Sequence, residues 1–105
     1  MLKLYIMVRN DNMNIGQQAA QAVHLAIEAS SLKDYDEWKH DSNTVVLLTI
    51  EGVRGMRNML HWMNAVGQDY VTFREPDQDN TETGYAIIMD SDVPWAHVKE
   101  LKLMG

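Results

Sequence analysis

The spacing of apolar residues switches repeatedly between a strand-like and a helix-like period, and that alternation constrains the fold more than any other feature of the chain. Residues 2–9 read Leu-Lys-Leu-Tyr-Ile-Met-Val-Arg. A run rich in β formers with partial alternation marks a strand. Leu2, Leu4, Ile6 and Val8 then share one face, and Lys3, Tyr5, Met7 and Arg9 the other. The polar cluster Asn10–Asn14 ends it. From Gly16 to Ser31 the spacing becomes helical. Ala19, Ala20, Val23, Ala26 and Ile27 form the expected buried stripe, with alanines small enough to bring the helix close to a sheet. Gln17, Gln21, His24 and Glu28 form a polar stripe on a second helix face.

Residues 34–43 are polar and acidic, a short helix or loop anchored by Trp38. Thr44–Glu51 reads as a strand. Val45–Leu48 shows no alternation, which suggests cover on both faces. A second helix is expected over Val53–Val66, with Val53, Met56, Leu60 and Met63 inward and Gly67 just past its end. Tyr70–Glu75 and Tyr85–Met89 are strands joined by the loop Pro76–Thr83. Asp92 is a candidate N-cap, with Pro94 early in a short final helix that ends near Leu101. The order β-α-β-α-β-β-α predicts a single α/β domain: a four-stranded mixed sheet with helices packed on its faces.

Composition narrows the possible functions. At 105 residues the chain fits one domain, and 46% hydrophobic residues argue against disorder. The absence of cysteine rules out a disulfide scaffold, thiol catalysis and thiolate zinc sites. It also suits a reducing compartment, and the expected location is cytoplasmic. The first nine residues are too short for a secretory leader, and the run Val45–Leu48 is far short of a membrane span. A net charge of −6 counts against a nucleic-acid partner. The charge is segregated, however. Residues 1–33 carry Lys3, Arg9 and Lys33 against Asp11 and Glu28, whereas residues 74–92 carry Arg74 against Glu75, Asp77, Asp79, Glu82, Asp90 and Asp92.

No P-loop, dinucleotide fingerprint or nucleophile elbow is present. His24, His40, His61 and His97 lack the spacing of a histidine metal site, so no metal or cofactor is expected. Two segments remain as candidates. One is the polar stripe at the start of the first helix. A solvated helix face is the commoner role of such a stripe, but this one begins where a strand feeds a helix N-terminus, which favours anions. The other is the loop Arg74–Thr83. A polar hairpin loop is the commoner role there, yet Asp77 and Thr83 have the chemistry to position a water, with the carboxylate as general base.

These residues also carry a resemblance. Met7-Val8-Arg9-Asn10-Asp11, followed by Met13-Asn14-Ile15-Gly16-Gln17-Gln18-Ala19-Ala20-Gln21-Ala22-Val23-His24, resembles the opening of the type-2 peptidyl-tRNA hydrolases. Phe73-Arg74-Glu75-Pro76-Asp77 with the later Thr83 is similar to a pattern of their bacterial and phage-type relatives. The resemblance spans about residues 2–90. It implies hydrolysis of the ester joining a peptide to the 3′ end of tRNA, without a cofactor and away from membranes. It places Asp77, Thr83 and Gln17 in catalytic positions. Arg9, Gly16, Gln21, His24 and Arg74 fall at positions that hold the substrate. Members of the family are often dimers, and Trp62, Met59 or Trp95 would furnish an interface. One position departs from the pattern: the residue after the motif glycine is usually lysine and here is Gln17, which brings a hydrogen bond but no charge. The alternative expectation is therefore a non-catalytic binding module on the same fold, contacting RNA or protein. A third is an interaction protein whose acidic loop 75–82 mimics nucleic-acid charge.

Overall fold

A computed structural model describes residues 1–91, 98 and 100–104. The candidate cap Asp92, Pro94, Trp95 and most of the expected final helix lie outside them. The elements are β1 (Leu2–Arg9), α1 (Ile15–Glu28), α2 (Tyr35–His40), β2 (Thr44–Ile50), α3 (Gly52–Val66), β3 (Val71–Glu75), β4 (Thr81–Asp90) and β5 (Lys102–Leu103). A short 3₁₀ turn, Ala29–Ser31, extends α1, and another, Pro76–Gln78, leads from β3 towards β4.

The chain is an α/β domain with one mixed sheet in the order β3-β4-β1-β2-β5. β1 and β2 run parallel, and the other pairings are antiparallel. Among the described residues the sheet has five strands rather than four. The added one, Lys102–Leu103, pairs with β2 through Leu48 and Thr49. Its two residues are too few for a periodicity to register in sequence.

β1 is the centre of the molecule. Its alternating side chains feed two separate cores, so both faces are buried. Leu4, Ile6 and Val8 join Ala22, Leu25 and Ala29 of the first helical segment and Trp38 of α2. Tyr5 and Met7 join Met56, Met59 and Met63 of α3, with Tyr85 and Ile87 of β4. The sheet is thus a three-layer sandwich at its centre, with α1 and α2 on one side and α3 on the other. Gly67 closes α3 in the left-handed conformation expected of a C-terminal glycine, at φ 71°.

Several expectations need correction, among them that Val53 of α3 points inward: it is 47% exposed. First, the buried face of α1 is Gln18, Gln21, Ala22 and Leu25, not the stripe of Ala19, Ala20, Val23, Ala26 and Ile27. Val23 and Ile27 are 60% and 64% exposed. Apolar area alone favours the stripe, but hydrogen bonding reverses the choice. Gln18 Nε2 donates to the Met13 carbonyl at 3.0 Å, and Gln21 is bonded at both ends of its amide, so both glutamines enter the interior satisfied. Leu25 is then seated against Gly84, where a hydrogen replaces a side chain.

Secondly, β2 is covered on one face only: Val45 and Leu47 remain exposed on the α1 side, because α1 lies over β1, β4 and β3. Thirdly, Met59 is buried in the α3 core, so it is no surface residue for a dimer interface. No helix among the described residues is long and apolar enough to cross a membrane.

Candidate functional site

The turn after β1 delivers the chain into α1 through a capping box. Asn14 Oδ1 accepts the Gln17 amide at 2.8 Å, and Gln17 Oε1 accepts the Asn14 amide at 2.9 Å. The signature Asn14-Ile15-Gly16-Gln17 was readable as a helix start, since a cap residue followed three places later by glutamine is the sequence form of this motif. Gln17 is therefore partly committed to structure. Its oxygen closes the helix end, and only its Nε2 remains for other work. Gly16 is exposed in this first turn, where a Cβ would meet only the Asn14 side chain, at 3.4 Å.

One flank of α1 leans over β3. There Gln17, Ala20, Gln21 and His24 face Glu75, Asp77 and Gln78 across an open cleft of 320 Å³. The His24 ring stacks on Phe73 with centroids 4.1 Å apart and planes 3° from parallel. That contact fixes the separation of helix and strand. The structure thus brings Gln17, Gln21, His24 and Asp77 into one site, although they come from segments more than fifty residues apart in sequence.

Behind the cleft lies a polar relay that the sequence did not reveal. Thr83 is fully buried, and its hydroxyl donates to Gln21 Oε1 at 2.9 Å, with the Phe73 carbonyl a second acceptor at 3.3 Å. Gln21 Nε2 in turn donates to Glu75 Oε2 at 2.7 Å. The orientation of the amide is fixed by chemistry: an ionised carboxylate only accepts, so the nitrogen must face Glu75 and the oxygen Thr83. Thr83 was expected to meet a substrate directly. Its hydroxyl is instead buried behind the cleft and donated to Gln21.

Glu75 is the residue that sequence reasoning missed. Its other oxygen, Oε1, accepts the Asp77 amide at 3.2 Å, and so caps the 3₁₀ turn that Pro76 begins. The Gln21 bond, then the Asp77 amide and the positive potential of His24, hold its carboxyl below the usual range against a smaller opposing effect of burial. The signal for this role was present in Glu75-Pro76-Asp77, because an acidic cap before proline suits a turn start. Asp77 differs from Glu75 in what its side chain does. It is exposed, and its carboxylate makes no hydrogen bond to any described residue.

Two proposed substrate-holding residues stand elsewhere. Arg9 points to the opposite face of the sheet, where Nε and Nη2 grip Asp11 at 2.8 and 2.6 Å. Arg74 lies opposite Glu82 across the β3–β4 ladder, at 3.7 Å, and does not line the cleft. Among the described residues no group of three or more His, Asp or Glu side chains gathers to hold a metal ion. No family model matches the chain, and no curated protein matches it.

The carboxylates give a pH prediction. Asp11, through its Arg9 bonds, and Glu75, through Gln21, both sit below their usual values of 3.8 and 4.5 in the folded state. A depressed folded pKa contributes stability above the unfolded value and loses it as pH falls through the folded one. Thermal stability is therefore expected to drop below about pH 4.5 and to fall further as these groups protonate. Gln21→Leu, which removes the donor to Glu75, should flatten part of that acid limb in melting curves. An unchanged acid limb would show that the Gln21–Glu75 bond carries none of it.

Proposed function

We propose that this cleft hydrolyses the ester that joins a peptide to the 3′ end of tRNA. The observation that supports the reading most directly is the unengaged carboxylate of Asp77. It is held over the motif segment of α1 by a turn that Glu75 pins in place. A pinned turn with a free carboxylate is what a general base requires: a fixed position and an acceptor with no other partner.

The reaction uses these side chains and water. Asp77 takes a proton from a water in the cleft, and the resulting hydroxide adds to the ester carbonyl carbon. The carbonyl oxygen becomes an oxyanion, to which Gln17 Nε2 donates. Collapse of the intermediate breaks the bond to the ribose oxygen, which recovers the proton from Asp77. The Thr83–Gln21–Glu75 relay keeps the floor of the cleft rigid throughout. His24, stacked on Phe73, forms the wall against which the terminal nucleotide or peptide rests. The direct test is release of peptide from purified peptidyl-tRNA by the intact chain. No release above a buffer control at stoichiometric protein would overturn the proposal.

One observation favours a second reading, a non-catalytic binding module. Glu75 and Asp77 both line the cleft, and no lysine or arginine does. A polyanion meets no charged donor there, and a partner protein becomes the better occupant. Gln17→Lys separates the two readings. It restores a cation beside the cleft while keeping the Asn14 bond to the residue 17 amide. Under the catalytic reading the wild type already releases peptide, and the lysine variant is expected to be faster by about tenfold or more. Activity that appears only in the variant would establish the binding module.

A further inference from the structure

On the face of the sheet away from the cleft, α3 and β4 flank a second open pocket, of 230 Å³. Its walls are mostly aliphatic: Val53, Met56 and Leu60 of α3. Tyr85 and Arg9 reach it from the sheet, and Arg57 and Glu82 border it. Tyr85 is only 2% exposed, yet its hydroxyl bonds to no described residue. No fully buried side-chain nitrogen or oxygen among the described residues lacks a partner, so this oxygen stands at the cavity surface. A phenol ring that is nearly all buried, with a hydroxyl that bonds no described residue and meets the surface only at this pocket, leaves a hydrogen-bond donor available to a ligand. Arg9 is in a similar position. Asp11 occupies its Nε and Nη2 and leaves Nη1 over.

The charges around the cavity decide what it can accept. Arg9, Arg57 and Arg74 stand against Asp11 and Glu82, with Glu82 drawn to Arg74 at 3.7 Å. One positive charge is left over. That balance matches a single negative charge and disfavours a phosphate dianion. The volume is below that of pockets for drug-sized ligands, and the apolar walls call for a compact hydrophobic body.

We propose that this cavity binds a small monocarboxylate with an apolar body. The carboxylate receives the Tyr85 hydroxyl and the remaining Nη1 of Arg9, its charge is balanced by Arg57, and the body lies against Val53, Met56 and Leu60. Burial, with the nearby Glu82 carboxylate, pushes Tyr85 up to about 12, so the phenol remains a donor throughout the neutral range. The site lies across the sheet from the Asp77 cleft and stands or falls independently of the hydrolytic reading.

Sodium benzoate is a suitable probe, with benzamide as its neutral isostere and sodium chloride as the salt control. Amide NMR shifts of the full chain are expected to saturate with benzoate at Val53, Arg57, Thr81, Glu82 and Tyr85. Benzamide should bind at least about tenfold more weakly, as should chloride. Tyr85→Phe keeps the ring and its edge contact with Tyr70, and should weaken benzoate about tenfold or more. Arg57→Gln, at an exposed helix position, should also weaken it and provides a variant with little risk to folding. Absence of saturation up to about 50 mM would overturn the proposal, being weaker than any specific contact of this kind. Equal binding of benzamide, or unchanged affinity in both variants, would overturn it too.

Discussion

Asp77→Asn is expected to lower peptide release from peptidyl-tRNA by about 10²- to 10⁴-fold, the range a positioned general base contributes. The change is nearly isosteric and removes only the ability to take a proton. Stability should be unaffected, within about 0.5 kcal/mol, because the side chain is exposed and contacts no described partner. The bond that holds the turn uses the Asp77 backbone amide, which the variant retains. Rate and melting temperature measured on the same preparation therefore separate chemistry from folding. A variant that releases peptide at the wild-type rate would remove Asp77 as the base. Glu75 would not take its place readily, since both of its oxygens are engaged and its carboxyl is held below the usual range.

The largest effect on stability is expected from Gly84→Ala. Gly84 sits in β4 opposite Val8 of β1, under the helix α1. An added methyl would collide with the Met7 carbonyl oxygen, approach Leu25 Cδ1 to 2.8 Å and crowd the Val8 Cα at 3.1 Å. Two of the three obstacles are backbone of the central strand, which cannot swing aside as a side chain does. Overpacking of this kind costs about 1–3 kcal/mol, and the backbone contacts place this case at the upper end. For a domain of this size that corresponds to a fall in Tm of about 10–20 °C. A calorimetric Tm within about 2 °C of the wild type would mean that β4 shifts to admit the methyl at little cost. The same substitution at Gly67 should be milder, because nothing lies within 4 Å and only the positive φ is at stake.

The strands and long helices were legible because each carries a periodicity over many residues. β1, β2 and α3 lie close to where the pattern put them, and Gly67 ends α3 as expected. What the pattern misjudged was orientation. Hydrophobic spacing identifies a helix but treats glutamine as a surface residue. The buried face of α1 is chosen by partners distant in sequence, Glu75 and Thr83, that satisfy Gln21. The exposed Val45 and Leu47 have a related origin: four apolar residues in a row do not say how far the covering helix extends. The site was legible in part. Gln17, Gln21, His24 and Asp77 could be named, and the fold brings them together. Glu75 went unrecognised, and Thr83 proved to be buried, because a relay through three side chains has no linear signature. Arg9 and Arg74 belonged to the right segments, but the alternation of strand side chains sends Arg9 to the other face.

The position of β1 at the centre of the sheet has a consequence for how the protein is made. A ribosome completes residues 2–9 before either of their neighbours in the sheet, residues 44–50 and 81–90. Until β4 emerges, a strand whose side chains are destined for two interiors has only one of its two edges paired. Such non-local pairing slows folding and leaves nascent apolar surface open to wrong associations. The polar turn Asn10–Asn14 and the self-capped start of α1 are by contrast complete within a few residues. During synthesis the start of α1 can therefore be capped by local bonds alone, whereas β1 has an unpaired edge until residues 81–90 arrive.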